Sequence, residues 1–508
     1  MAELLKRDFD IAVLKAQVRE APGRSGTSGP EVSFVLQYHE EGTLHDGPAW
    51  VFLLADIAPA LPTRSASRGV GPDFTLPPPL LEGLRDWFVQ NAEADRPLWV
   101  HLVKPYGTLR LMPWERVLGA VLERPILMLP DFIFPPPREA VQSLDVVLCA
   151  SAPLGYEHSS VCEALRTAAD RILESGTRSL HLHVFADRDI AESLSPGWQA
   201  DGRLGAQILV YDHGLAAPYV AEDVSSRLVD EAGALRSPWL LWMRAALAGR
   251  GVDIVHFVCH GHLQRDRGAM LFAQSPLERS DTYLAGPVGC NELATFCTQI
   301  GAWSTVFSSL PDNHSEPGLR SLADEVAQSR PGPMMMHVLR EDPSAGALAA
   351  GYAFLYSLEP HPPPRSRALF MYCQPYLAAA RVGASDAPSA RASRSMPPGV
   401  GRTRDVVPLN AIARNAVQSF AANRSLEASP LDPIFDGSER VSSLVASTER
   451  FAEQVQLRFQ QMARDDLMPH SSRTVAEAKA TFETLDKLRR AVAEVDVRVA
   501  VSLQGSSS

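Results

Sequence analysis

At 508 residues, 45% hydrophobic and 21% charged, the chain is long enough for about two to four domains with ample buried cores, and its composition excludes global disorder. Its 48 basic and 59 acidic residues give a formal charge of -11, which excludes a surface built to neutralise a long run of phosphates, so nucleic acid is not an expected partner. Nowhere do about 18 apolar residues run together, so no membrane-spanning helix is expected.

Residues 1–15 mix Lys6, Arg7, Asp8 and Asp10 into the apolar positions, unlike the continuous apolar stretch of a secretory leader. With only six cysteines and no CxxC pair, the expectation is a soluble cytoplasmic protein in a reducing compartment. Strands are predicted over 8–18 and 31–38, separated by the Gly/Ser/Pro stretch 21–30, and a helix over 80–91 behind the prolines 77–79. Two further strands, 98–103 and 125–129, complete a small mixed unit, 1–137.

Past Pro135, Pro136 and Pro137 the rhythm changes. Apolar runs at 144–150, 180–185, 207–211, 254–259, 305–309, 334–339 and 368–373 alternate with helix candidates at 160–174, 238–248, 291–301, 319–329 and 344–358. Strands that read as continuously apolar are buried on both faces, which requires helices on either side of a mainly parallel sheet. Segment 138–380 is therefore predicted to be a doubly wound α/β domain. A Ser/Pro/Gly/Arg-rich stretch, 381–405, reads as a flexible linker. In 406–508 the strand signal disappears, and apolar residues fall at helical spacing, with a capping-box pattern at Thr474 and Glu477, so a helical hairpin or bundle is expected there.

The segment richest in chemistry is His256-Phe257-Val258-Cys259-His260-Gly261-His262. An apolar strand ending in polar residues and a glycine puts them at its carboxyl end, where ligand sites of open α/β sheets form. His260 stands where a general base acts, and Gly261 offers an unobstructed N–H of the kind an oxyanion hole uses. His256, inside the strand, reads as a buried histidine with satisfied nitrogens. Cys259 and His262 flank His260, but no further ligand stands at an accepted metal spacing, and no glycine loop joins a strand to a helix for phosphate, so neither metal nor cofactor is expected.

These residues resemble the CHAT domain family, bacterial relatives of the caspases and separases. The resemblance rests on the strand-His-Gly motif 256–261, the strand 269–273, the Pro113-Trp114-Glu115 turn, the strand 333–339 with its Glu341-Asp342-Pro343 turn, and the Phe354 to Leu358 helix end. It implies a caspase-like fold and a cysteine nucleophile at the end of the strand 303–312. None is there: Leu310 takes the nucleophile position, with Ser309 one residue earlier. A serine variant would need an orienting acid, and none stands at a recognisable triad spacing. Cys290 and Cys297 precede the strand and are not expected to reach its carboxyl end. The resemblance therefore implies a degenerate peptidase acting as a regulatory or scaffold protein in bacterial defence or signalling. Such a protein would bind a protein or peptide and use the helical C-terminal region as a docking surface. The alternative is an active endopeptidase in which His260 uses a cysteine or serine from elsewhere.

Overall fold

A computed structural model describes residues 11–19, 29–40, 43–57, 74–91, 96–131, 143–153, 158–175, 179–194, 207–220, 228, 235–248, 250–264, 267–277, 285–312, 314–330, 332–357 and 361–375. The chain divides into two units after Val406, and every described residue lies in the first. The predicted linker 381–405 and the helical segment 406–508 lie outside the described residues.

The first unit is a mixed α/β structure around one large sheet. Its strands are β1 (Ile11–Arg19), β2 (Glu31–Glu40), β3 (Thr43–Leu53), β4 (Leu98–Leu102), β5 (Ile126–Met128), β6 (Ser143–Ala150) and β7 (Ser179–Ala186), followed by β8 (Gln207–Val210), β9 (Ile254–Gln264), β10 (Arg267–Ala273), β11 (Ala285–Gly289), β12 (Ser304–Ser309), β13 (Met334–Val338) and β14 (Leu369–Tyr372). They lie in the order β3-β2-β1-β4-β5-β14-β13-β12-β9-β6-β7-β8, with β10 pairing β9 and β11 at the side. Eight of the thirteen pairings are parallel. The antiparallel pair β13–β14 divides the sheet into two parallel blocks pointing in opposite directions, so its carboxyl-terminal edges lie on opposite sides. Strands from 1–137 and from 138–380 share this sheet through Met128 and Tyr372.

Short runs rich in β-branched and aromatic residues make the central strands: β12 is Ser-Thr-Val-Phe-Ser-Ser and buried at every position. Helices cover both faces. On one face lie α1 (Pro78–Asn91), α3 (Pro238–Ala246), α4 (Cys290–Gln299) and α5 (Ser315–Ser329), packing Leu84, Trp239, Phe296 and Leu322 into a common core with Phe257 and Phe307. On the other lie α2 (His158–Glu174) and α6 (Gly346–Tyr356), packing Leu165 and Leu355 with Val258, Val306 and Leu310. No helix among the described residues is long and apolar enough to cross a membrane.

Three strands depart from the predictions, among them β11, whose residues Ala-Gly-Pro-Val-Gly carry no strand signal. β3 was not anticipated, because Asp46, Gly47 and Pro48 interrupt its alternation; it survives as an edge strand, where such residues are tolerated. β9 was expected to stop at Cys259 but runs on to Gln264, its last residues turning into an antiparallel hairpin with β10.

Candidate functional site

β9 ties the site together because it belongs to two ladders. Through Cys259 it is paired in parallel with β12, and from His260 onward it is paired antiparallel with β10. His260 therefore sits where the strand leaves the carboxyl edge of its parallel block, between the end of β12 and the start of α5. Helix α5 comes unusually close. A Cβ on Gly261 would lie 2.1 Å from the Ser315 carbonyl oxygen, and one on Gly268 would lie 2.1 Å from that of Gly318. Glycine at these positions lets helix and hairpin touch backbone to backbone. The space beside Gly261 is thus filled by the first turn of α5.

A buried ion pair fixes α5 there. Arg320 donates from Nη2 to Glu115 Oε1 at 2.6 Å and from Nη1 to Glu115 Oε2 at 3.0 Å, and its guanidinium lies 4.5 Å from the centre of the Phe370 ring. The Pro113-Trp114-Glu115 turn thereby holds the helix whose first turn frames His260. Two parallel N–H···O bonds give such a fork its geometric specificity.

His260 Nδ1 lies 2.7 Å from Asp312 Oδ2 and 3.3 Å from Ser315 Oγ. Ser315 Oγ donates to the same Asp312 oxygen at 2.6 Å, while Asp312 Oδ1 accepts the backbone N–H groups of His314 at 2.7 Å and Ser315 at 2.6 Å. Burial by itself raises the Asp312 carboxyl, but hydrogen bonds from His260 and Ser315, with the two backbone amides, outweigh it and bring the carboxyl down to about 2. Asp312 is a carboxylate partner of His260 that sequence spacing did not reveal. It lies beyond the strand end, and only the turn into α5 carries it back over His260.

The other predicted positions separate. Leu310 is buried in the core beneath α2 and α6. Ser309 is buried and donates to the Leu310 carbonyl at 3.2 Å. Ser308 bonds to His256 rather than His260. Cys259 belongs to the core on the opposite face of the sheet, and burial pushes its thiol up. Cys297 lies 3.7 Å from Thr305 near the amino end of β12, and Cys290 lies 3.8 Å from Ser329 at the far end of α5, so neither meets His260. Among the described residues no group of three or more His, Cys, Asp or Glu side chains is arranged to hold a metal.

A second feature of the same edge was not anticipated. A cleft of about 830 Å³ opens between α2 and the short helix Arg188–Ser193, past the ends of β6 and β7. His158, Cys162 and Arg166 line it at helical spacing, facing Asp189 and Glu192. His158 Nε2 lies 3.0 Å from Asp189 Oδ2, and Arg166 donates to the Ser193 carbonyl at 2.6 Å, so two contacts join its walls. The signal available in the sequence was the i, i+4 spacing of His158, Cys162 and Arg166 along an amphipathic helix.

No family model matches the chain, and no curated protein matches it. Among solved structures, a point mutant of the PilB minor pilin from Streptococcus sanguinis is 8% identical, covering 67% of this chain and 78% of that one with a TM-score of 0.21. An N-terminal ketoreductase from a macrolactin assembly line is 12% identical, covering 57% and 66% with a TM-score of 0.22. Overlap at that level carries no argument about fold or activity.

Proposed function

We propose that the chain is a degenerate caspase-like protein of the CHAT type, which binds a protein or peptide segment along the carboxyl edge of β12, β9, β6 and β7 and does not cleave it. The observation that carries this reading is the lock on His260, whose Nδ1 is held by Asp312; Leu310, which the resemblance aligns with the family's nucleophile, is buried in the core. A general base acts only with a nucleophile whose proton it can take. The cleft past β6 and β7 supplies polar groups of both signs, Arg166 against Asp189 and Glu192, for anchoring a bound segment. Segment 406–508, apolar at helical spacing, then serves as the docking surface for a second component, in a regulatory or scaffold role within bacterial defence or signalling.

A second reading is an endopeptidase whose nucleophile is Ser315, favoured by the 3.3 Å separation of its hydroxyl from His260. It ranks lower because that hydroxyl donates to Asp312, and because Asp312 and Ser315 crowd the same ring nitrogen instead of flanking the imidazole.

One experiment separates them. The full chain is immobilised and exposed to a diverse synthetic peptide library, and both bound and released peptides are sequenced by mass spectrometry. Binding without cleavage, weakened by Arg166→Glu, is the expected result. Cleavage products that vanish in both His260→Ala and Ser315→Ala establish the peptidase instead, and the absence of any retained peptide refutes the binding reading.

A further inference from the structure

Beneath the His260 site a second polar chain crosses the core. His256 Nδ1 lies 3.0 Å from the Tyr352 hydroxyl and its Nε2 lies 2.9 Å from Ser308 Oγ; Ser308 Oγ lies 3.5 Å from His337 Nδ1; and His337 Nε2 lies 3.3 Å from Asp342 Oδ2. Tyr352, His256, Ser308 and His337 are all buried, and Asp342 is the member nearest solvent. The residues come from α6, β9, β12, β13 and the turn after β13, so one chain of contacts stitches α6 to three adjacent strands.

The protons in this chain have one consistent arrangement. The Asp342 carboxyl is held below the usual carboxylate range, first by His337 and then, against some burial, by the Ala347 amide and the Ser344 hydroxyl, so it is ionised and only accepts. His337 must then carry its hydrogen on Nε2 and present a lone pair at Nδ1. Ser308 donates to that lone pair, His256 donates from Nε2 to Ser308, and Tyr352 donates to His256 Nδ1. Every donor finds one acceptor. Burial, with the neighbouring His337 adding to it, pushes His256 down to about 3, which keeps it the neutral ring this arrangement requires.

We propose that this chain is a proton-operated latch: binding of one proton by His337 is coupled to release of α6 from the sheet. A charged His337 donates from both nitrogens. Its new Nδ1–H faces the Ser308 oxygen, which already accepts from His256 Nε2, and the Ser308 hydrogen is left with no acceptor. The conflict is relieved at Ser308 only if His256 shifts its hydrogen to Nδ1, where the Tyr352 oxygen accepts it by turning its own hydrogen away, leaving that hydrogen without an acceptor. Either way the chain holds one donor too many inside a dry core, and withdrawing Tyr352 sheds the surplus by giving its hydroxyl to solvent and admitting water to His256 Nδ1. By linkage, a released α6 binds the proton more tightly.

Among the described residues, Asp342 is the charged side chain in contact with His337. β12 contributes Ser308, β9 contributes His256, and β14 places Leu369 in register with it. α6 contributes Tyr352, and its Tyr356 is held by Ser304. From α2, Arg171 reaches the same turn but bonds to the Ser344 carbonyl at 2.7 Å, and Arg340 pairs with Glu341 at 3.2 Å. Gly351 seats α6 closely on β13: an added Cβ would lie 2.5 Å from the Met335 sulfur.

Selective 15N-histidine labelling of the full chain reads the latch directly. At neutral pH both His256 and His337 are expected as the Nε2–H tautomer; an Nδ1–H tautomer at His337 refutes the arrangement. On acidification, the resonances of His256 and of the Tyr352 ring are expected to move with the same midpoint as His337, and their indifference to that titration overturns the proposal. Tyr352→Phe removes the hydroxyl that satisfies His256 Nδ1 in the neutral arrangement and is left in surplus in the charged one, so it should raise the proton affinity of His337 about tenfold, or about one pH unit; an unchanged midpoint counts against the latch. If that variant does not fold, hydrogen exchange on the unmodified chain decides. After correction for intrinsic rate, α6 amides should exchange faster across the His337 titration while α2 amides do not, and equal protection of α6 on both sides of the midpoint refutes it.

Discussion

β9 carries His256, His260 and His262 at even positions along one of its faces, and the surroundings of the first two set them apart. His260, where β9 leaves its parallel block, is gripped by the Asp312 carboxylate and the first turn of a helix. His256, inside the strand, is paired among the described residues with two hydroxyls, Tyr352 and Ser308. A carboxylate partner stabilises a charged ring, whereas hydroxyl partners in a dry core stabilise a neutral one. The same residue type, two pleats apart, therefore belongs to a polar edge in one case and to the packing of the core in the other.

The largest test of this contrast is the acid limb of stability. His256 is neutral when folded but protonates near its ordinary value when unfolded, so the unfolded state binds more protons as pH falls. Stability is fully present above about 6.5 and declines toward about 3, by about 3–5 kcal/mol. Urea unfolding across that window should show the decline in the natural sequence and lose most of it in His256→Gln. A decline of equal size in both proteins would mean that His256 is hydrated.

Gly261→Ala attacks the other histidine. Its Cβ would collide with the Ser315 carbonyl at 2.1 Å, forcing α5 from the hairpin at a cost of about 2–3 kcal/mol, measurable by chemical denaturation. The His256 tautomer should not change. Asp312→Asn is milder. The folded carboxyl sits at about 2, below its ordinary value, so its contribution is present above about 4 and lost as pH falls toward 2; the substitution should remove about 2 kcal/mol at neutral pH and flatten that lower window alone. Ser309→Ala should change stability by less than about 0.5 kcal/mol, since its hydroxyl serves only the adjacent Leu310 carbonyl. A larger loss would reveal a role for Ser309 in the site.

Much of the core was legible because the strands announce themselves. β6, β7, β9, β12, β13 and β14 lie within a residue or two of their apolar runs, save for the extension of β9, and the helix predicted over 160–174 is part of α2. Burial on both faces leaves a pattern that chain-local reading can detect. Asp312 left no such mark. An aspartate after a strand is an ordinary turn residue, and it becomes the partner of His260 only because a turn and the start of α5 bring it back. Ser308 was similarly ambiguous: pattern placed it in β12, but its two imidazole partners come from β9 and β13, which only sheet order makes its neighbours.

The amino-acid sequence by itself determined which segments become strands and helices and that a mainly parallel sheet would be covered on both sides, because periodicity and burial are written along the chain. Tertiary structure decided which side chains meet: that Asp312 faces His260, that Gly261 receives a helix, and that Tyr352, His256, Ser308, His337 and Asp342 form one line. Hydrogen bonds act over about 3 Å, and residues far apart in the chain reach that range only once the strand order and the seating of the helices are fixed.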